Sequence, residues 1–190
     1  NIDMLAFPGH KGLLGPQGTG GLYVADGIKL NTIREGGTGS YSDMLTQPDI
    51  LPDRLESGTL NTPGLAGLNA GIDYINSIGI DNIRRHEIKL AGRIIDGLND
   101  IDKVKVYGPV DPKEHAGALA FNVGDMDSTE VSYLLDNDYD IEVRAGLHCS
   151  GLAHKTIGTF EQGAVRVSTG PFTTERETEI FLDAVNKIAR

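Results

Sequence analysis

The sequence predicts an α/β protein in two parts, on three observations. Apolar residues recur at helical spacing in several segments, short apolar runs lie between those segments, and glycine-rich loops fill the first part of the chain. Residues from about 81 onward give the order helix–strand–strand–helix–strand–strand–helix. That order predicts a compact domain in which helices pack on a small sheet. Residues 1–80 are richer in loops and are expected to form a separate part.

In the first part, residues 2–7 are predicted to form a short buried strand and residues 21–25 a second one. A second glycine cluster at residues 36–40 is either a flexible polar loop or a plain linker. Thr62 is expected to cap a helix over residues 63–77, because it precedes Pro63 and an apolar pattern of helical period.

In the second part, Asp81 is expected to cap a helix over residues 82–98, and Ser128 one that ends near Asn137. Thr173 or Thr174 should cap the last helix. Strands are predicted at residues 104–107, 118–123, 141–143 and 164–167. Charged neighbours place His86 on a solvated face, and a polar turn should leave His115 exposed.

Composition limits the classes of function. With 190 residues the chain can form one large domain or two small ones. A formal net charge of −10 argues against a nucleic-acid partner. No apolar run approaches the roughly 20 residues of a membrane helix. Cys149 is the single cysteine and cannot form an internal disulfide, which suits a reducing cytosol. We therefore expect a cytoplasmic protein with no nucleic-acid or membrane partner.

Lys11 lies in a loop dense in glycine and proline, between residues 7 and 21. A lysine there is either part of a basic surface turn or an amine held ready to form a Schiff base. In the second case a phosphate would lie close by, because glycine lets backbone N–H groups approach an anion. The loop is not a nucleotide P-loop, since Lys11 is followed by Gly12 rather than by serine or threonine.

Cys149 follows a predicted strand and lies in a second glycine-containing loop. A lone cysteine is most often an inert, buried small hydrophobe. Here Arg144 and His148 place positive charge nearby, which would favour the reactive thiolate. A metal site made of His148, Cys149 and His154 is a minor alternative, because a closed site needs four ligands at recognisable spacing.

Gly9-His10-Lys11, followed by Gly15-Pro16 and Gly18-Thr19-Gly20, resembles the lysine loop of one family of enzymes. That family is the cysteine desulfurases and selenocysteine lyases, pyridoxal-phosphate enzymes of the class V aminotransferases. Three later segments fall in the family's order, around Gly58-Thr59, His148-Cys149 and Arg166. The resemblance covers only the C-terminal half of a family member. It implies the fold type I architecture, with residues 1–80 as a remnant of the large cofactor domain and residues 81–190 as the small C-terminal α/β domain.

The resemblance implies a site for pyridoxal 5'-phosphate. Lys11 would hold the cofactor as a Schiff base, and His10 would help to position it. Gly58 and Thr59 match the segment that, in the family, reaches across a dimer interface to the phosphate of the other subunit. The family pattern therefore implies a homodimer with a shared active site. Pro8 stands where relatives often have a phosphate-binding serine.

The resemblance also implies a substrate site. Arg166 matches the arginine that clamps the substrate carboxylate, a role that suits a planar guanidinium. Arg144 and His148 would bind substrate beside it. Cys149 matches the cysteine that accepts sulfur and carries it as a persulfide, so the predicted reaction converts cysteine, or selenocysteine, to alanine. A sulfur-acceptor protein is a possible partner.

Two alternatives stay open. Another class V enzyme, a transaminase or a β-lyase, would share Lys11 and Arg166 without needing Cys149. Alternatively the chain is a non-catalytic folded fragment, and on its own it is expected to be inactive and to bind cofactor poorly. Leu147 replaces a residue that is often polar in relatives, and the loop over residues 150–163 looks specific to a subfamily.

Overall fold

A computed structural model describes residues 1–190 of the chain. The backbone divides into two units, Asn1–Gly79 and Ile80–Arg190. No helix in either unit combines the length and apolar character that crossing a membrane requires.

The first unit contains two strands, β1 (Met4–Pro8) and β2 (Gly20–Val24), and one helix, α1 (Thr62–Ile78). The strands form an antiparallel pair in which Ala6 lies opposite Leu22. Between β2 and α1 the chain forms turns and irregular loops. The expectation of a buried first strand is wrong, because every residue of β1 is exposed. A two-stranded ribbon has no second layer of its own to cover both faces.

Helix α1 begins one residue earlier than the sequence suggests, and Asn61 rather than Thr62 is its N-cap. The Asn61 side-chain oxygen accepts a hydrogen bond from the N–H of Gly64 at 3.1 Å. This contact is the usual capping bond to the third helical residue. Thr62 is already helical and exposed, so its hydroxyl is not needed for this role.

The second unit contains four α-helices and three strands, besides a short 3-10 helix at Pro112–Glu114. They are α2 (Ile80–Asn99), β3 (Val104–Tyr107), β4 (Ala118–Val123), α3 (Ser128–Tyr139), α4 (Gly151–Ile157), β5 (Val165–Ser168) and α5 (Glu175–Ile188). The sheet order is β3-β4-β5 and both pairings are antiparallel. Phe121 lies at the centre, opposite Val106 on one side and Val165 on the other.

The core of this unit lies where α2, α3 and α5 pack with the sheet. Its fully buried side chains include Ile94, Ile95, Leu98, Phe121, Val131, Leu135, Val165 and Val185. The Phe121 and Phe181 rings meet edge to face, with centroids 5.7 Å apart and planes at 80°. This arrangement is one that aromatic pairs favour beyond simple burial. The predicted packing of helices on a small sheet is therefore confirmed.

Several local expectations for this unit are wrong. Residues 141–143 form no strand, and the short helix α4 was not expected. Asp127 rather than Ser128 caps α3, by accepting a hydrogen bond from the N–H of Thr129. Ser128 is buried and donates instead to the carbonyl of Gln162. Helix α2 begins at Ile80, so Asp81 lies inside its first turn.

The two histidines outside the predicted site are less exposed than their polar neighbours suggest. His115 is buried, contrary to expectation, and its Nε2 lies 2.6 Å from the carbonyl oxygen of Pro109. His86 is partly buried, and its Nε2 donates to the carbonyl of Thr173 at 2.8 Å. The carbonyl that binds His86 lies 87 residues further along the chain, so adjacent residues could not indicate it, whereas Pro109 lies only six residues before His115.

Candidate active site

The lysine loop, residues 9–19 between β1 and β2, is closed by backbone hydrogen bonds. The N–H of Gly9 donates to the carbonyl of Thr19 at 2.8 Å, and the N–H of Gly15 donates to the carbonyl of Gly9, also at 2.8 Å. The N–H of Leu14 donates to the carbonyl of Lys11 at 2.9 Å and forms a turn. Lys11 is therefore carried on a defined turn, although its side chain and that of His10 are exposed.

Glycine is required where this loop folds back on itself and on α1. A Cβ atom at Gly9 would lie 2.3 Å from the Thr19 hydroxyl oxygen. A Cβ atom at Gly15 would lie 2.7 Å from Leu68 Cδ1 and 2.9 Å from the carbonyl of Gly9. From the helix side, a Cβ atom at Gly71 would lie 2.5 Å from the carbonyl of Leu13. Close backbone approach thus fixes the loop that carries Lys11.

The Gly58-Thr59 segment is braced against the second glycine cluster. Gly58 has a φ of +86°, which favours glycine, and its N–H donates to the carbonyl of Gly37 at 2.8 Å. The Gln47 side chain links two segments of this loop. Its amide oxygen accepts a hydrogen bond from the N–H of Gly36, and its amide nitrogen donates one to the carbonyl of Glu56. Thr59 is exposed. Residues 36–40 therefore form a braced loop rather than a plain linker.

The thiol loop, residues 144–150 in the second unit, begins as an extension of the sheet. Arg144 and Arg166 form an antiparallel bridge, with N–H to carbonyl distances of 3.1 and 2.7 Å. Gly146 and Ala164 exchange a second pair of bonds at 3.1 and 3.2 Å. Residues 144–146 are thereby fixed beside β5 just before the chain turns toward Cys149.

Cys149 is exposed and lies in a tight turn with an uncommon backbone. His148 has a φ of +51° and Cys149 a φ of +59°, a left-handed region that costs about 1–2 kcal/mol for each residue with a side chain. His148 Nε2 donates to the carbonyl of Arg144 at 3.0 Å, and the N–H of Ser150 donates to Leu147 at 2.8 Å. These bonds hold the turn that presents the thiol.

Arg144 supplies the positive charge nearest the thiol. Its Nη2 lies 3.9 Å from Cys149 Sγ. Burial lowers the pKa of His148, and the charges of Arg166, His154 and Arg144 lower it further, against the opposing effect of its hydrogen bond to Arg144. His148 is therefore neutral at pH 7, and its expected contribution of charge is absent. The Arg144 guanidinium remains as the positive charge in contact with the thiol.

Arg166, on β5, is partly buried, and its Nε is buried without a hydrogen-bond partner. A buried donor left unpaired costs free energy, so an acceptor placed there would be favoured. A carboxylate has the right shape and charge for a guanidinium. The structure therefore brings an unpaired guanidinium donor and the Cys149 thiol onto adjoining segments, since Arg166 is the bridge partner of Arg144.

His154 and Thr159 are buried residues of this region, for which the sequence suggested only a minor alternative role of His154 as a metal ligand and none for Thr159. His154 is 3% exposed, and its Nδ1 lies 2.7 Å from the Thr159 hydroxyl oxygen. Its ring centroid lies 5.3 Å from that of His148. The structure contains no group of three histidine, cysteine or acidic side chains that could hold a metal ion. A helix too short to show a clear period offered no signal for this pair.

A model of the class-V aminotransferases matches residues 1–181, so the chain belongs to the class-V aminotransferase family. A probable cysteine desulfurase from Methanothermobacter thermautotrophicus is 38% identical and matches 98% of this chain and 48% of that protein. The apo structure of a cysteine desulfurase from Thermococcus onnurineus NA1 is 39% identical, with a TM-score of 0.83 over 98% of this chain and 47% of that chain.

A third similar protein is the Escherichia coli cysteine desulfurase CsdA, solved in an S-sulfonic acid form. It is 28% identical, with a TM-score of 0.81 over 98% of this chain and 46% of that chain. The chain thus spans about half the length of the relatives it matches. The predicted family and the predicted partial fold type I architecture are both confirmed.

Proposed function

We propose that the protein carrying this chain is a pyridoxal-phosphate-dependent cysteine desulfurase, with selenocysteine as the alternative substrate. The observation that carries the proposal is the Arg144–Arg166 bridge. It joins an arginine with a buried, unpaired Nε to one whose guanidinium contacts an exposed thiol. A carboxylate grip beside a sulfur nucleophile is what removal of sulfur from an amino acid requires. The names of the similar proteins support the same reaction.

The first unit has donors that fit pyridoxal 5'-phosphate. Lys11 offers an exposed primary amine on a turn that close glycine packing fixes, and an aldehyde reacts with such an amine. Thr59 offers an exposed hydroxyl beside the braced Gly58 turn, which suits a phosphate. In this proposal Lys11 and His10 hold and orient the cofactor of one subunit. Gly58 and Thr59 bind the phosphate of the partner subunit's cofactor in a homodimer.

The bound cofactor would supply an electron sink for the substrate α-carbon. The chain's own residues would do the rest. Lys11 moves a proton at the α-carbon, and Arg166 holds the carboxylate with two parallel hydrogen bonds. Arg144 and His148 line the substrate site beside Cys149.

Sulfur transfer would take place at Cys149. Its thiolate attacks the substrate sulfur, so that a sulfur–sulfur bond forms while the substrate's carbon–sulfur bond breaks. The electron pair of the broken bond stays with the substrate carbon, which takes up a proton and becomes the methyl group of alanine. Cys149 is left as a persulfide, from which a sulfur-acceptor protein would take the sulfur.

The two parts of the chain are assigned accordingly. Residues 1–80 would be the C-terminal portion of the cofactor-binding large domain, and residues 81–190 the small C-terminal domain. The proposed location is the cytoplasm, in keeping with a single reduced cysteine.

The test uses the full-length protein and measures alanine and persulfide formed from cysteine. Lys11→Ala should abolish both products, and Cys149→Ser should abolish the persulfide and transfer to an acceptor. Borohydride trapping followed by peptide mapping should label Lys11 alone. If Cys149→Ser formed alanine at the wild-type rate, Cys149 would not be the sulfur acceptor. A wild-type protein that formed a keto acid and no alanine from cysteine would instead be a class V β-lyase or transaminase. Absence of labelling at Lys11 would remove the cofactor assignment.

A further inference from the structure

A buried histidine outside the predicted site residues lies directly beneath the thiol loop. His154 is in the short helix α4, is 3% exposed, and is tied to Thr159 in two ways. Its Nδ1 lies 2.7 Å from the Thr159 hydroxyl oxygen, and its carbonyl accepts from the N–H of Thr159 at 2.9 Å. Thr159 is itself 2% exposed. The His154 ring is therefore held in one orientation by a buried partner.

The fixed ring contacts the histidine that precedes the thiol. The His154 and His148 ring centroids are 5.3 Å apart, with the planes tilted by 51°. On its other side, His148 donates from Nε2 to the carbonyl of Arg144 at 3.0 Å. That carbonyl also accepts the N–H of Arg166 at 2.7 Å. His148 is thus supported between a buried ring and the end of the sheet.

The support matters because the thiol loop cannot hold its own shape by local preference. His148 and Cys149 both have left-handed backbones, which residues with side chains rarely adopt. Such conformations persist only where the surroundings determine them. In this turn Cys149 Sγ comes to lie 3.9 Å from Arg144 Nη2.

We propose that His154 is a positioning residue for the Cys149 thiol. Thr159 fixes the His154 ring, and that ring keeps His148 bonded to the carbonyl of Arg144. The proposal deepens the proposed function and rests on it for the role of Cys149. His154 itself touches neither the thiol nor the bridge residues through any hydrogen bond, so its effect passes through His148.

The charges around His148 make the arrangement measurable. The groups that face it are Arg166, His154 and Arg144, and all three oppose a proton on its ring. Burial opposes that proton more strongly than any of them, so the pKa of His148 lies below its ordinary value. If the His154 ring loosens, water reaches His148 and relieves the burial that lowers its pKa. That effect is larger than the loss of the bond to the Arg144 carbonyl, so the pKa moves up toward the ordinary value. That shift is visible in the NMR titration of the His148 ring.

The test compares Thr159→Val, which removes the hydroxyl, with Thr159→Ser, which keeps it. In the full-length protein without substrate, the rate of iodoacetamide alkylation is followed by mass mapping of the Cys149 peptide across pH. Thr159→Val should slow alkylation at pH 7 severalfold, because Cys149 Sγ loses its contact with the Arg144 guanidinium. It should also raise the His148 titration midpoint. Thr159→Ser should match the wild type in both measurements.

His115→Gln is the matched control, because His115 is also a buried histidine of the second unit with a short bond to a carbonyl. It should lower stability without moving the alkylation profile. If Thr159→Val fails to fold, His154→Asn takes its place, since it removes the ring and retains a polar partner for Thr159. A folded Thr159→Val or His154→Asn protein with wild-type alkylation and His148 titration would overturn the proposal.

Alkylation of Cys149 needs neither cofactor nor turnover. The sulfur-transfer role of Cys149 and the positioning role of His154 can therefore be refuted separately. Wild-type turnover by Cys149→Ser would remove the sulfur-transfer role and leave the positioning result standing. Unchanged alkylation in the Thr159 variants would remove the positioning role and leave sulfur transfer untouched.

Discussion

The two units of the chain bury their apolar residues very differently. In the second unit, Leu135, Phe121 and Val165 are each 0% exposed within a core shared by helices and sheet. In the first unit, Leu22 and Tyr23 on β2 are 50% and 51% exposed. Apolar burial is the main favourable contribution to folding, so stability should be concentrated in the second unit. The proposed cofactor lysine therefore belongs to the unit with the smaller core of its own.

The largest expected effect on stability comes from a matched pair of leucine substitutions, one in each unit. Leu135→Ala removes a fully buried side chain and should destabilise the chain by about 2–5 kcal/mol. Leu22→Ala, at a half-exposed position, should cost less than about 1 kcal/mol. Urea unfolding followed by far-UV circular dichroism would measure both. Equal costs would mean that the two units share stability evenly.

A smaller loss of stability is expected when alanine replaces the glycines that pack against the thiol loop and within the lysine loop. Gly163→Ala places a Cβ atom 2.5 Å from the Ser128 hydroxyl and 3.0 Å from Gly146 Cα, at a φ of +70°. Overpacking of this kind costs about 1–3 kcal/mol. In the lysine loop, Gly9→Ala meets the Thr19 hydroxyl oxygen at 2.3 Å and should have a comparable cost.

The controls for these substitutions are glycines with open space around the missing Cβ, Gly170 in the second unit and Gly12 in the first. Their alanine variants should unfold at urea concentrations close to that of the wild type. Urea unfolding curves would show, for each loop separately, whether close packing at the glycine makes its alanine substitution destabilising. If Gly163→Ala and Gly170→Ala behaved alike, the close approach between Gly163 and Gly146 would not constrain the thiol loop.

The smallest predicted effect is a dependence of the thiol loop on pH. His148 has a pKa below its ordinary value in the folded chain, chiefly because of burial. The unfolded chain therefore takes up a proton first as the pH falls through about 6.5. Above that pH, His148 does not change the free energy of unfolding. Below it, the preferential protonation of the unfolded chain lowers the free energy of unfolding progressively. Acidic groups such as Asp127, whose pKa is also lowered, act only at lower pH.

Hydrogen exchange of the amides in residues 144–150 would measure this effect between pH 5 and 7, after correction for the intrinsic exchange rate. Protection should fall on the acid side in the wild type. His148→Gln cannot take up the proton and should show a flatter profile. A wild-type profile as flat as that of the glutamine variant would contradict the assignment of a neutral His148.

The sequence was informative where structure is local and periodic. The apolar repeat predicted both ends of α2 within two residues, and the threonine pair predicted the start of α5, which Thr174 caps. Prediction from the sequence failed where local structure depends on partners that are distant along the chain. The 141–143 run has strand-like residues, yet the ladder forms only at Arg144 and Gly146, where β5 offers free carbonyl and N–H groups. Likewise, the partner of the partly buried His86 is the carbonyl of Thr173, 87 residues further along the chain.

The candidate site divides in the same way. Motif resemblance predicted Lys11, Cys149 and Arg166 as site residues, because the segments that carry them match the family's motifs in order. Spacing carries no information about the buried Nε of Arg166 or the bond between His154 and Thr159. Both depend on which backbone segments come together in three dimensions. The roles assigned to the motif residues stay predictions until the variants are measured.

The bridge between Arg144 and Arg166 has a mechanical consequence. It anchors the chain through Gly146, which exchanges two backbone hydrogen bonds with Ala164. Beyond that anchor only three residues lead to Cys149, and three residues span at most about 11 Å when fully extended. The thiol therefore has a short tether to the sheet. Under the proposed function, an acceptor of sulfur from Cys149 would have to come within that distance of the sheet, because the tether cannot lengthen while the bridge holds.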